Sequence, residues 1–285
     1  MSDGSNAHHD DGLRRIGHML LRTGKGFGEG DGSQWAAAVA YYALLSLFPL
    51  LLAMASIAAY FVDPGWVSGE ATRLLGDFLP TGEEQINKIV QGAIESRQVA
   101  GIVSIASLLW SGTRIFGALT KAMNRAYDIE DDYGFLRRFL VEALMLLTIG
   151  VLFVLALGAR LILGPLAQAI GFLPGDGGLL LSILPALASG GLLLLAYLLL
   201  YRFVPRRRPD WQAALAGAVV ATALVLLGRP LFLYYVRRFG EYNIIYGSLA
   251  IVVILIFWAF IVAAITILGA EIASHVQVEY YGPLE

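Results

Sequence analysis

The sequence predicts an all-α polytopic membrane protein with six transmembrane helices and an external amphipathic helix pair between the first and second spans. Three observations lead there. The chain of 285 residues is 58% hydrophobic and only 15% charged, where a soluble domain carries about 25% charged residues. Its mean hydropathy is +0.69. The apolar residues fall in long runs, and six of these reach the ~20 residues a helix needs to cross a hydrocarbon core of ~30 Å. The runs lack the period-two alternation of a membrane barrel strand, which leaves helices as the spanning element.

The elements follow in order. Residues 1–34 read as a cytoplasmic tail with no cleavable signal, because no short apolar core ends in a small-residue cleavage site. "MSDGSNAHHDDG" is too polar to order itself. "LRRIGHMLLRTGKGF" places Leu13, Ile16, Met19 and Leu20 on one side among Arg14, Arg15, Arg22 and Lys25. It suits a helix lying on the membrane surface or a solvated juxtamembrane linker. The transmembrane domain is predicted at 35–275, with spans near 36–62, 99–119, 138–161, 179–203, 211–236 and 245–274. Residues 276–285 form a C-terminal tail.

Between spans one and two, Thr81 and Glu84 make a capping box. Ile86, Ile89, Val90, Ala93 and Ile94 then share a helix face, as do Val67, Ala71, Leu74, Leu75 and Phe78 upstream. The charges orient the bundle. Twelve Lys and Arg residues fall on the side of the N-terminus: Arg14, Arg15, Arg22, Lys25, Lys121, Arg125, Arg137, Arg138, Arg202, Arg206, Arg207 and Arg208. Five fall opposite: Arg73, Lys88, Arg97, Arg237 and Arg238. The positive side is cytoplasmic, so both termini are predicted there.

Composition also excludes. A net charge of −2 gives no global footprint for nucleic acid. The absence of cysteine removes disulfides, thiolate catalysis and Cys-based zinc sites. No cofactor is expected.

Inside the spans, polar and helix-breaking residues mark candidate positions. Pro49 lacks a backbone donor and pushes away the carbonyl of Leu45, for which the Ser46 hydroxyl is a nearby partner. Span four opens with the same spacing, Ser182 and Pro185. Three helices per half would set the halves in inverted topology, a plan in which broken helices flank a substrate. Gly112, Arg114 and Phe116 in span two have a weaker echo in Gly228, Arg229 and Phe232. A charge at membrane depth costs ~2.5–3.5 kcal/mol on insertion scales, so Arg114, Glu142 and Glu271, all near the cytoplasmic boundary, are expected to meet. Glu271 is the first partner expected for Arg114. Such a cluster either locks helices together or acts as an ion-linked gate. Arg160 and Arg229 toward the outer side suit an anionic headgroup, and Arg206 to Arg208 suit anionic lipid inside. Asn124 is placed to cap a helix or bridge loops. Trp35, Trp110 and Trp211 suit interfacial positions, and Trp258 a packed one.

"AVAYYALLSLFPLLLA" (38–53), "LLWSGTRIFGALTKAMNRAYDIE" (108–130) and "YGSLAIVVILIFWAFIVAAITILGAEIA" (246–273) together resemble the YihY/BrkB family of bacterial inner-membrane proteins. The resemblance runs from about 35 to 275. It implies a six-helix inner-membrane protein linked to envelope integrity and serum resistance, with lipid among its suggested cargoes. The family has carried the label ribonuclease BN. The residues here do not support that chemistry, which needs clustered His and Asp ligands outside the bilayer: His8 and His9 lie in the polar N-terminal tail, and His18 and His275 are isolated. The expected function is transport or export of an amphipathic or anionic substrate, lipid included, by alternating access around spans one and four. The alternative is a non-transporting scaffold for envelope integrity. A cavity lined by Tyr42, Ser46, Arg114 and Glu271 would favour transport. The partners implied are membrane lipids and an anionic lipid or small-molecule substrate.

Overall fold

The computed structural model describes residues 22–61, 97–129, 134–170, 177–238 and 250–284. These form seven helices and, among the described residues, no strand: α1 (22–29), α2 (Gly32–Phe61), α3 (Arg97–Ala126), α4 (Phe135–Ile170), α5 (Gly177–Phe203), α6 (Trp211–Arg238) and α7 (Ala250–Tyr281). The helices α2 to α7 fall on the six apolar segments. By length and composition, Trp211–Val236 and Val252–Tyr281 are long and apolar enough to cross a membrane. The amphipathic pair expected within 63–98 lies outside the described residues, apart from Arg97 and Gln98, which open α3.

The chain divides into two compact units. One contains 1–36, 117–228 and 264–285, and the other 37–116 and 229–263.

In the first unit, α4 and α5 pack together. Further along the sequence, α6 and α7 meet through small residues. Ala213, Ala214, Ala218, Ala221, Ala270 and Ala273 are fully buried. A side chain on Gly217 would run into the Gly269 carbonyl, and would come to 2.9 Å from the Ala273 Cβ. Small residues let helix backbones approach closely, and inside a membrane that close packing is a main source of helix association. On α4, Leu136, Leu140, Leu144, Leu147, Val151 and Leu155 are all exposed. Their spacing of three and four makes one apolar face, of the kind that lipid covers.

Two aspartates set chain direction. Asp31 between α1 and α2 has φ 55°, and Asp128 after α3 has φ 52°. Short polar side chains tolerate this left-handed region. At the end of α3, Ile129 N donates to Asn124 O at 2.8 Å and Asp128 N to Arg125 O at 3.1 Å, a Schellman closure that satisfies the last carbonyls.

The helix α7 runs on to Tyr281, past the predicted span end at 274. Its last turns have polar partners: Gln277 is buried and bonded to Asp210, and the Tyr281 hydroxyl donates to Gln212 Oε1 at 2.5 Å.

In the second unit, α2 continues as helix through Pro49, and α6 through Pro230. Phe232 packs on Trp258 at 4.9 Å and on Phe257 at 5.8 Å between ring centroids, so Trp258 serves packing as expected.

Candidate functional site

The second unit holds a half-open groove of about 480 Å³. Its walls come from three helices: Ala37, Ala40 and Tyr41 of α2, Tyr235 and Val236 of α6, and Val253, Ile254, Ile256, Phe257 and Phe260 of α7. The reason is local. The α2 wall carries the small Ala37 and Ala40, while Tyr235 of α6 and Phe257 of α7 stand edge-to-face at 6.1 Å in the lining. The volume lies within the ~300–1,000 Å³ of small-molecule sites. The lining is apolar apart from the two tyrosine hydroxyls, so it suits a hydrocarbon chain. This is not the expected cavity: Tyr42, Ser46, Arg114 and Glu271 are not among its lining residues. The reason on α2 is helical register. Tyr41 faces the groove, and Tyr42, the next residue, points about 100° away and meets the Tyr41 ring edge-on at 5.4 Å.

The other sequence candidates of this unit are placed as follows. The Ser46 hydroxyl donates to Ala43 O at 2.8 Å, so it does not serve the Leu45 carbonyl as expected. A serine in a helix reaches back to the preceding turn, where a carbonyl is already within range. Ser111 and Thr113 do the same, to Ser107 O at 2.8 Å and Trp110 O at 2.9 Å. Pro49 is half-buried. Arg114 was expected to be a buried guanidinium in an ion pair. It is exposed, and its guanidinium lies over the Trp110 ring at 5.8 Å. A tryptophan four residues earlier on the same helix face offers its ring without any rearrangement. Arg229 is also exposed.

The first unit holds the buried polar residues. Glu142 is buried, and its Oε1 accepts from Arg138 Nε at 2.8 Å. The expected partner was Arg114. The cation one turn back on α4 supplies the pair locally, without bringing two helices together. Gly117 of α3 sits against this pair: a Cβ there would be 2.9 Å from Glu142 Oε1. Ser182 and Pro185 lie on α5, but their side chains are outside the described residues, as is that of Arg160 on α4.

Asn124 is buried, and its Oδ1 accepts from Arg206 N at 3.0 Å. It thus bridges the end of α3 to the "VPRRRPD" loop (204–210). From the other side Gln277 of α7 accepts from Asp210 N at 2.7 Å and donates to Gly282 O at 3.3 Å. The Asp210 carbonyl accepts from Ala214 N and starts α6. From the last turn of α5, Arg202 Nη1 donates to Pro209 O in the loop while its guanidinium lies 5.1 Å from the Trp211 ring. Arg208 lies 5.3 Å from the Phe203 ring. Three arginines are thereby presented on a tethered loop.

Glu271 is buried at 6% exposure. Its carboxylate faces α1: a Cβ on Gly26 would be 2.6 Å from Oε2, and one on Gly30 3.8 Å from Oε1. Among the described residues Glu271 has no ion pair. Among the described residues, three buried polar atoms on the neighbouring segments have no hydrogen-bond partner: Thr23 Oγ1 of α1, three residues before Gly26, the Tyr127 hydroxyl, and His275 Nδ1 one turn along α7. Burial pushes the Tyr127 phenol well above its ordinary pKa, and the nearby Glu271 charge pushes the same way. Among the described residues, no three His, Cys, Asp or Glu side chains come together in a way that could hold a metal ion.

Sequence reasoning missed a third arrangement. Tyr197 and Tyr201 stack with ring centroids 5.8 Å apart. Tyr201 is fully buried and donates to Thr266 O at 2.8 Å, and the Tyr197 hydroxyl shares a 3.3 Å bond with Thr266 Oγ1. Gly269 makes room, because a Cβ there would overlap the Tyr201 hydroxyl. The signal was two tyrosines four residues apart inside "LLLLAYLLLY".

Comparison with known proteins places the chain. A UPF0761 membrane protein of Alteromonas mediterranea is 30% identical over 242 residues, covering 83% of this chain and 80% of the relative. One of Pseudoalteromonas atlantica is 28% identical, covering 86% and 81%. A Bacillus subtilis protein named as ribonuclease-like, YfkH, is 27% identical, covering 85% and 89%. No solved structure matches. The family described as virulence factor BrkB matches residues 23–284, nearly the whole chain, and this membrane protein belongs to that family.

Proposed function

We propose that the protein carries an amphipathic or anionic lipid within or across the bacterial inner membrane, in support of envelope integrity. The observation that carries the reading is the groove of about 480 Å³ walled by α2, α6 and α7, a shape and polarity that suit an acyl chain. In this reading α2 to α7 all span, both termini are cytoplasmic, and residues 63–98 lie outside. The prolines of α2 and α5 allow those helices to bend as access alternates. Arg229 and Arg238 on α6 are exposed and available to a headgroup phosphate. No catalytic role is assigned, and the name of the ribonuclease-like relative carries no activity over.

The test is lipid retention. Wild-type protein released from native membranes should keep bound phospholipid in a native mass spectrum. Ala40 lines the groove, so Ala40→Trp should block it and lose that lipid, and Ala37→Trp, at an exposed lining position, should do the same in a protein that still elutes as folded. Equal retention by wild type and variants would refute the groove as the lipid site.

A second reading, a scaffold without transport, is favoured by the Gly217–Gly269 contact in the first unit. Helices in such close register are suited to holding shape. It predicts retention of lipid at the surface only, unchanged by Ala40→Trp.

A further inference from the structure

The buried oxygens around Glu271 are not used by the groove. Glu271 is buried, faces the glycines of α1, and has no ion pair among the described residues. A lone carboxylate taken out of water is costly unless it is paired or neutralised. Two hydroxyls nearby carry the same problem. Tyr127 and Thr23 are 7% and 4% exposed, and neither hydroxyl has a hydrogen-bond partner among the described residues. A buried polar group left without a partner destabilises the fold.

Their placement joins them. Thr23, Gly26 and Gly30 follow at helix spacing on one side of α1, the side that meets Glu271. Tyr127 comes from the Schellman turn after α3, and its phenol feels the Glu271 charge. Arg125 reaches the same face through its aliphatic Cγ, 3.5 Å from the Gly30 Cβ position, and the residue is exposed. Asp128 on the same turn is exposed and adds negative charge, and His275 lies one turn along α7.

We propose that Glu271, with the hydroxyls of Tyr127 and Thr23, forms a binding site for a monovalent alkali cation, Na⁺ or K⁺. The donors are all oxygen, which suits hard cations. A single carboxylate balances one positive charge, whereas dedicated calcium sites gather several carboxylates and carbonyls. The hydroxyls turn their lone pairs to the cation and their protons away from it. Because α1 supplies Thr23 and the glycines that let the carboxylate approach, cation binding fastens the N-terminal helix to α7.

The test is thermal unfolding of the purified full-length protein in detergent, in NaCl, KCl or choline chloride at equal ionic strength and pH 8. Wild type should gain several degrees of Tm in one alkali salt over choline, saturating with concentration. Glu271→Gln keeps the shape and should lose that gain. Tyr127→Phe removes one ligand and should need severalfold more salt for half the effect, which keeps the test decisive if Glu271→Gln does not fold. Equal Tm in all three salts would overturn the proposal, as would a salt gain that persists in Glu271→Gln or is unchanged in Tyr127→Phe. A Tm that rises only as pH falls in choline, with no salt preference, would mean that a proton alone neutralises Glu271.

Discussion

At the residue scale, Gly269 is tightly constrained. Its missing side chain lets the Tyr201 hydroxyl reach Thr266 O at 2.8 Å. Forcing extra atoms into a packed interior costs about 1–3 kcal/mol, so Gly269→Ala should lower the Tm by several degrees. Tyr201→Phe removes the oxygen that the new methyl would strike. The double variant should therefore be more stable than the sum of the single losses predicts, which a double-mutant cycle on Tm reads directly. Strict additivity would mean that the contact does not limit packing. The acidic residues show how far single positions were legible. Composition identified Glu142 and Glu271 as the costly charges, and both are buried. Depth along the spans could not say which cation each would meet. Glu142 takes Arg138 from its own helix, while Arg114 lies over Trp110. Local pairs at four-residue spacing need no tertiary arrangement, and the search for a partner across helices passed over them.

At the scale of elements, the 204–210 loop is held at both ends by amides, Asn124 to Arg206 N and Gln277 to Asp210 N. Either substitution, Asn124→Ala or Gln277→Ala, leaves a backbone donor without its partner. A loss of about 1–3 kcal/mol is expected for each. The loop carries Arg206, Arg207 and Arg208, so trypsin added to inside-out vesicles should cut there faster in both variants than in wild type. Unchanged cutting would show that the amides do not hold the loop. Helix existence was legible for the six long apolar runs, each of which is helical where the structure describes it. Helix ends were less so. The extension of α7 to Tyr281 depends on Gln277 and Tyr281 finding partners on the other side of a loop, and hydropathy carries no trace of such bonds. The groove was illegible for a similar reason. It is lined by Ala37 and Ala40 together with Tyr235 and Phe257, whereas Ser46, Arg114 and Glu142, which draw attention in sequence, turn toward their own helices.

At the scale of the whole molecule, the account rests on six spans and on a lipid-handling role. The distribution of basic residues predicts the topology. Single cysteines at Ser2, Gln85 and Glu285, in a chain that has none of its own, should react with an impermeant thiol reagent in intact cells only at Gln85. Labelling at Ser2 would reverse the orientation. The central claim is that the protein moves lipid through the groove of α2, α6 and α7. Its most direct measurement is phospholipid movement in proteoliposomes, with a head-labelled fluorescent lipid and an impermeant quencher added outside. The account predicts that wild-type protein exposes the inner-leaflet lipid to quenching and that Ala40→Trp reduces this to the rate of protein-free vesicles. Quenching that stops at the outer leaflet with folded wild-type protein, or that proceeds equally with Ala40→Trp, would contradict it.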